Sequence, residues 1–227
     1  MTPQQFTMDL MPPPSFARDD FVLSGCNAMA ADWIDRWPDW PGRIQGLVLH
    51  GPPSCGKSHL AAIWQSKSKA KSYDRIDDQT IFGLDDNPHM IWDQPLPSSD
   101  WPEDLIFHLL NRLTEIEGSL LILSHQPMAA IDWQIADVAS RLNGLSGAEI
   151  TDPDDDMLMA LLFKHADDLG MALDDDVARY IITRMDRRFD AAQQMMVQLN
   201  QTALSVKKMS PFRLCGMCLK NNSTYID

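Results

Sequence analysis

Hydrophobic positions in residues 19–151 alternate between short apolar runs and helical spacing. The apolar runs predict buried strands at 46–50, 90–92 and 120–123. Apolar residues at every third or fourth position predict helices at 27–37, 59–66 and 102–117. This alternation is typical of an α/β domain with a parallel sheet and helices on both faces.

The pattern changes after Thr151. Amphipathic helices are predicted at 154–169, 174–185 and 189–204, which indicates a small C-terminal domain of three helices. The run Pro12–Pro14 predicts an extended leader before the α/β domain. We therefore divide the chain into a leader (1–18), an α/β domain (19–151), a helical domain (152–206) and a tail without an assigned structure (207–227).

Charge and composition exclude several classes of protein. The 227 residues include 19 Lys and Arg against 32 Asp and Glu, which gives a net charge of −13. Such an acidic chain is not expected to hold DNA or RNA through phosphate contacts of its own. No apolar run approaches the roughly 20 residues of a membrane span. The 4 cysteines do not suggest a disulfide scaffold, so a cytoplasmic protein is expected.

The strongest chemical signal is the segment Gly51–Ser58, GPPSCGKS, which matches the phosphate-binding pattern G-x-x-x-x-G-K-[ST]. It lies between a predicted strand and a predicted helix, as that pattern requires. Its two glycines let successive backbone N–H groups face phosphate oxygens, and the helix N-terminus adds partial positive charge. Lys57 is expected to reach the outer phosphates and Ser58 to bind Mg²⁺. The chain is therefore predicted to bind a nucleotide.

Polar residues end the other two predicted strands. Asp93 is either a Mg²⁺ ligand or a residue that forms a turn. Gln94 follows it and cannot accept a proton from water, so strong binding with weak intrinsic hydrolysis is expected. Ser124 and His125 follow the third strand, where they either lie beside the outer phosphate or cap the strand.

These motifs together resemble the AAA+ ATPases, and in particular the Hda-type regulators of the replication initiator DnaA. The resemblance runs from about Gln5 to Leu204. The segments that carry it are FVLSGCN (21–27), GLVLHGPPSCGKSHLAAIW (46–64), IFHLLNRL (106–113), DVASRL (137–142) and MDRRF (185–189). It implies an AAA+ sheet domain followed by a helical lid.

The resemblance also assigns roles to individual residues. Arg141 would be an arginine finger that acts on a nucleotide bound by a neighbouring molecule; the alternative is a surface arginine without a specific role. Arg187 would contact the nucleotide of its own chain; the alternative is a charge cluster that forms local salt bridges at a helix start. Phe21 and Val22 would lie on the adenine side. The other nucleotide contacts it implies are Gly51, Pro52, Ser54, Cys55, Gly56, Lys57, Ser58, His59, Asp93 and Ser124, with Mg²⁺ at Ser58 and Asp93.

The leader resembles the short peptide by which Hda-type proteins bind the sliding clamp of DNA polymerase III. Gln5 would hydrogen-bond at the edge of the clamp pocket, while Met8 and Leu10 would fill it. The alternative is a leader whose pattern is fortuitous.

The function implied is negative regulation of replication initiation. The protein would hold ADP or ATP, bind the clamp, meet DNA only through the clamp and stimulate hydrolysis of DnaA-bound ATP. DnaA continues into a basic DNA-binding domain, whereas this sequence stops after the lid, which favours the regulator. A homodimer is compatible with this interpretation, and no membrane is involved. The alternatives are a self-acting ATPase such as a helicase loader, a small P-loop kinase, and a nucleotide-binding scaffold.

Two features near the C-terminus receive no function. Cys215 and Cys218 form a C-x-x-C pair, but no second pair completes the four ligands of a zinc site, so the cysteines are interpreted as incidental. Met195 and Met196 are predicted to belong to the core of the last helix.

Overall fold

The computed structural model describes residues 16–85, 87–93, 102–205 and 215–219. These residues divide into two compact units, one of residues 16–154 and one that begins at Asp155. The first unit contains strands and helices, and the second is helical.

A parallel sheet forms the centre of the first unit. In the described part of the chain its strands are β1 (Gln45–His50), β2 (Lys71–Tyr73), β3 (His89–Asp93), β4 (Ser119–Ser124) and β5 (Ser146–Glu149). They lie in the order β2-β3-β4-β1-β5, and each neighbouring pair is parallel. The carboxyl ends of these strands therefore meet at one edge of the sheet.

Helices connect the strands and cover the sheet. They are α1 (Ala28–Arg36), α2 (Lys57–Ser68), α3 (Asp78–Phe82), α4 (Glu103–Glu115) and α5 (Ala136–Asn143). All six residues of β4 are buried. Because successive side chains of a strand point to opposite faces, both faces of the sheet are covered at this strand.

The second unit has a hydrophobic core of its own. Its helices are α6 (Asp155–Asp168), α7 (Asp175–Ile182) and α8 (Phe189–Ser205). Met195 and Met196 of α8 are 1% and 0% exposed and belong to this core, as the sequence predicts. Cys215 and Cys218, in the helical segment 215–219, are each 1% exposed and pack into the same core.

The predicted fold class is confirmed, and each predicted strand and helix is present with ends that shift by at most three residues. The apolar pattern does not predict β2, α3 or β5. Two of the three residues of β2 are exposed, and a single residue of β5, Ala148, is buried. The segment 215–219 is also missed, because five residues are too few to display a helical period. Among the described helices, none is long and apolar enough to cross a membrane.

Candidate nucleotide-binding site

The segment 51–56, here called the phosphate loop, leaves β1 at the carboxyl edge of the sheet and enters α2. A Cβ atom at Gly51 would lie 2.3 Å from the carbonyl oxygen of Ile150, so this position requires glycine. Gly56 has a φ of +98° and is the N-cap of α2. Ser54 has a φ of +60°. Left-handed residues in a tight loop turn backbone N–H groups inward, which is the geometry of an anion site.

Lys57 lies within the curl of this loop. Its Nζ donates hydrogen bonds to the carbonyl oxygens of Gly51 and Pro52, at 2.9 and 2.8 Å, and is 3.5 Å from Sγ of Cys55. The partial positive charge at the amino end of α2 adds to that of the ammonium group. Ser58 is exposed in the first turn of the same helix. This arrangement suits a phosphate group and a cation bound to it.

Two titratable neighbours of Lys57 are neutral near pH 7. Burial raises the pKa of the Cys55 thiol, and the nearby Lys57 opposes that rise without cancelling it. Burial also lowers the pKa of His50; Glu149 raises this pKa and Lys57 lowers it further. Cys55 and His50 therefore add no charge to the phosphate loop near neutral pH.

Asp93 and Ser124 end neighbouring strands at the edge where the phosphate loop begins. Asp93 pairs with Leu123, and Ser124 pairs with His50, the residue before the loop. Neighbouring strands are about 4.8 Å apart, so Asp93 lies within roughly 10 Å of the strand that feeds the loop. The Asp93 side chain is exposed. The structure thus brings both predicted strand ends to the loop.

Two protein oxygen ligands are available for Mg²⁺, the Ser58 hydroxyl and the Asp93 carboxylate. Within the described ranges, no three His, Cys, Asp or Glu side chains are grouped so that they could hold a metal by themselves. Mg²⁺ typically takes one or two protein ligands together with substrate phosphates and water. These residues therefore fit a magnesium ion that is shared with a nucleotide.

The Ser124 hydroxyl closes a turn. Its Oγ donates to the carbonyl oxygen of Gln126 at 2.6 Å and accepts from the Gln126 N–H at 3.2 Å. Ser124 is 1% exposed, whereas the next residue, His125, is exposed. In this structure the hydroxyl caps the strand, and a contact with phosphate stays a prediction.

The segment 21–27 packs beside the phosphate loop. The Phe21 ring is 8% exposed, and its Cε2 would lie 3.1 Å from a Cβ atom at Gly56. The ring also stands edge-on to His59, with 5.1 Å between ring centroids. The carbonyl oxygen of Val22 accepts a hydrogen bond from Nδ2 of Asn27 at 2.8 Å. Phe21, Val22 and His59 thus lie on one side of the loop.

Arg141 lies at the opposite edge of the sheet. It lines a surface groove of about 660 Å³ together with residues 42–44, which lead into the amino end of β1. The phosphate loop leaves the other end of that strand. At about 3.3 Å per residue, the two ends of β1 are roughly 17 Å apart. Arg141 therefore cannot reach the phosphate loop of its own chain.

Three neighbours surround the Arg141 guanidinium group. Nε lies 2.6 Å from Oδ2 of Asp137, and Nη1 donates to Oδ1 of Asn111 at 2.7 Å. The group lies 5.4 Å from the centre of the Phe107 ring. Sequence reasoning missed these partners. The i,i+4 spacing could have indicated Asp137, but Asn111 comes from α4 and only tertiary packing brings it near.

Arg187 belongs to the second unit, just before α8. Its Nη1 lies 2.8 Å from Oδ1 of Asp155, and the two side chains are 56% and 70% exposed. An ion pair this exposed is weak, so it leaves Arg187 available for another anion. The residues of the predicted clamp peptide, Gln5, Met8 and Leu10, lie outside the described residues, as does Gln94.

Comparisons with known proteins identify relatives of both units. Residues 154–210 match the family model of the Hda lid domain. Over 223 residues, the chain is 27% identical to the chromosomal replication initiator protein DnaA of Thermodesulfovibrio yellowstonii. That alignment covers 82% of this chain and 48% of the relative, so the chain spans about half the length of the curated relative it matches.

Solved structures of DnaA have the same fold. Domain III of DnaA from Thermotoga maritima superposes with a TM-score of 0.72 at 14% identity, over 92% of this chain and 97% of that one. AMPPCP-bound DnaA from Aquifex aeolicus gives a TM-score of 0.68 at 14% identity, over 95% and 71% of the two chains. The architecture is that of an AAA+ sheet domain with a helical lid.

Proposed function

This chain is a DnaA-related AAA+ protein with an Hda lid domain, and on that basis we propose that it is a negative regulator of replication initiation. It binds an adenine nucleotide, ADP in its working state, at Gly51–Ser58 and stimulates hydrolysis of the ATP held by DnaA. The match of residues 154–210 to the Hda lid supports a regulator, as does the net charge of −13, which disfavours direct contact with DNA phosphates.

The position of Arg141 is the observation that carries this proposal. The guanidinium group lies at the far end of β1 from its own phosphate loop, in an open groove. Asp137 and Asn111 engage Nε and Nη1, while Nη2 makes no hydrogen bond to a described residue. An arginine placed in this way can serve a nucleotide on another molecule. Supplied in trans, such a residue accelerates phosphoryl transfer by roughly 10³- to 10⁵-fold, because it neutralises charge in the transition state.

The nucleotide of this chain has a separate task in the proposal. Lys57 and the backbone N–H groups of the phosphate loop hold the phosphates, and Ser58 and Asp93 hold Mg²⁺. The bound nucleotide keeps the regulator in its active form and is not the ATP that is consumed. A contact between Arg187 and this nucleotide stays a prediction of the family resemblance.

The leader supplies the second contact of the proposed complex. Gln5, Met8 and Leu10 bind the sliding clamp, so DNA is met only through the clamp. Tethering raises the effective concentration of Arg141 near DnaA on the same DNA, without any new contact between the two proteins. A homodimer formed through the Arg141 groove would compete with DnaA for this surface.

Single-turnover hydrolysis tests the proposal. DnaA carrying radiolabelled ATP is mixed with DNA-loaded clamp and this protein in its ADP form, and release of phosphate is followed. The wild type is expected to accelerate hydrolysis. Arg141→Ala should lose the acceleration while it keeps the affinity for ADP, because Arg141 lies away from the phosphate loop. The Gln5/Met8/Leu10→Ala triple variant should also lose the acceleration in this mixture, because hydrolysis there depends on binding to the DNA-loaded clamp.

Arg75→Ala is the matched control, since Arg75 is an exposed arginine on the connection between β2 and α3. It is expected to act like the wild type. No acceleration by the wild type would refute the proposal. Steady hydrolysis of free ATP by this protein alone would instead favour the self-acting ATPase.

A further inference from the structure

The groove at Arg141 contains a second arginine. Arg43 lines it as well, on the connection between α1 and β1. The two guanidinium groups differ in their surroundings. Nε and Nη1 of Arg141 are engaged by Asp137 and Asn111, at 2.6 and 2.7 Å. Arg43 is exposed, and its side chain forms no ion pair or hydrogen bond with a described residue. One arginine is therefore held in place, whereas the other is free to extend into the groove.

The backbone nevertheless fixes where the Arg43 side chain begins. Gly42 has a φ of +108°, and a Cβ atom there would lie 3.3 Å from the carbonyl oxygen of Ile44. This turn therefore favours glycine. Ile44 is 6% exposed and belongs to the core of the first unit. Arg43 lies between the turn and this buried anchor, so its charge stays at the groove while its guanidinium group moves.

The carboxylates of the groove are already paired. Oε2 of Glu115 lies 3.0 Å from Nη1 of Arg112, and Asp137 lies against Arg141. Arg43 adds a positive charge that no described carboxylate compensates. The whole chain carries a net charge of −13. An anionic surface that approaches this protein is therefore repelled by the molecule as a whole and attracted locally by the groove.

We propose that Arg43 is a docking residue, which steers the phosphates of a nucleoside triphosphate bound on another protein into the groove beside Arg141. This inference rests on the action in trans of the proposed function. A guanidinium group that no neighbour holds is poorly placed to act on a transition state. A charge needs no such placement to attract an anion at long range. Arg43 therefore governs how fast the partner arrives, and Arg141 how fast the nucleotide then reacts.

The association rate tests this role. Stopped-flow fluorescence follows the binding of this protein, in its ADP form, to DnaA that carries AMPPCP and Mg²⁺. Arg43→Ala should lower the association rate constant about 4-fold near 0.01 M salt, as expected for one charge acting through about 8 Å of water on a partner charge of about −2. The difference should shrink to less than about 1.5-fold near 0.5 M salt, because charges are then screened within roughly 4 Å. The dissociation rate constant should stay the same, since a charge at the rim acts on the encounter.

The nucleotide on the partner identifies the group that Arg43 attracts. With ADP and Mg²⁺ in place of AMPPCP, the charge on the partner's nucleotide falls from about −2 to about −1. Coulomb energy is proportional to this charge, so the effect of Arg43→Ala should fall from about 4-fold to about 2-fold. An equal effect on the two forms of DnaA would overturn the assignment to phosphates and indicate acidic side chains of the partner.

Two further variants control for net charge and for structure. Arg75→Ala makes the same change of charge at an exposed arginine between β2 and α3, and it should associate like the wild type. Glu115→Gln removes a negative charge from the groove, so it should associate about 2-fold faster. Equal association rates for Arg43→Ala and Arg75→Ala would overturn the inference, as would slower association of Glu115→Gln.

Single-turnover hydrolysis separates this inference from the proposed function. At saturating concentration Arg43→Ala should reach the wild-type rate, whereas Arg141→Ala should not. A lower maximal rate for Arg43→Ala would overturn its docking role, because it would indicate a contact in the transition state. A wild type that associates in an Arg43-dependent way but accelerates no hydrolysis would refute the proposed function alone. No association of the wild type with DnaA would refute both.

Discussion

The Asp137 carboxylate lies 2.6 Å from Nε of Arg141, one turn earlier on α5. The two side chains are 48% and 33% exposed, respectively. A pair at this spacing and exposure contributes only a few tenths of a kcal/mol to stability. Its larger effect is on orientation, since Asp137 and Asn111 together fix two of the three guanidinium nitrogens.

Asp137→Asn is therefore expected to separate activity from stability. Stimulation of DnaA-bound ATP hydrolysis should fall about 10-fold, because a loosely held guanidinium group spends less time in a productive position. The free energy of unfolding should change by less than about 0.5 kcal/mol. Single-turnover hydrolysis and urea unfolding measure the two quantities. Asp176→Asn, the same charge change on an exposed face of α7, should alter neither. A wild-type rate for Asp137→Asn would show that Arg141 needs no such support.

Gly51 and Gly83 allow the same glycine-to-alanine substitution to be compared at a crowded and at an open backbone position. Alanine at position 51 would place Cβ 2.3 Å from the Ile150 carbonyl oxygen, in a residue with a φ of +155°. Alanine at position 83 would meet nothing within 4 Å, and φ there is −70°. Gly51→Ala should lower the free energy of unfolding by about 2 to 4 kcal/mol, whereas Gly83→Ala should leave it nearly unchanged. Urea unfolding of both variants checks this, and equal effects would contradict it.

The sequence is sufficient for the parts of the fold that depend on local pattern. The apolar run in β4 identifies a buried strand of the sheet, and the match at Gly51–Ser58 identifies the phosphate loop. Each feature is determined by a short run of consecutive residues, so the sequence alone predicts it. β2 and β5 are too short and too polar to show such a pattern. β2 forms its strand by pairing with β3, and β5 by pairing with β1. The sequences of β2 and β5 do not indicate these pairings.

The sequence predicts the contacts within the candidate site less completely than it predicts the fold. Asn27 in front of a helix indicates an N-cap, yet its side chain holds the preceding loop. The bond from Asn111 to Arg141 crosses from α4 to α5 and depends on how these helices pack. Such relationships arise from tertiary contacts between residues that are far apart in sequence, so spacing alone cannot predict them.

Ser124 allows the two interpretations of its role to be separated. Its hydroxyl is engaged with Gln126 on both sides, so Ser124→Ala should lower the free energy of unfolding by about 1 kcal/mol. We expect the same loss with and without saturating ADP, measured by urea unfolding. Ser140→Ala, at an exposed position of α5, should cause no loss. A larger loss in the presence of ADP than in its absence would show that the hydroxyl also contacts phosphate.

The stability of the helical unit should depend on pH through Cys215. Burial, together with the neighbouring Cys218, raises the pKa of Cys215 from an ordinary value of 9.0 to about 11. The folded state therefore favours the protonated thiol. This contribution is fully present below pH 9 and is lost as the pH rises from about 9 to about 11, because the unfolded chain gains the thiolate first. Urea unfolding monitored by circular dichroism at intervals between pH 8 and 11 measures the decline.

Cys215→Ala isolates this contribution. Burial also raises the pKa values of Cys26, Cys55 and Tyr73, and these groups remain in both proteins, so their contributions cancel when the two stability curves are subtracted. The variant should be less stable at pH 8, since it loses a buried side chain, but its stability should fall less steeply above pH 9. Curves that run parallel through this range would mean that the Cys215 thiol ionises as readily in the folded lid as in the unfolded chain.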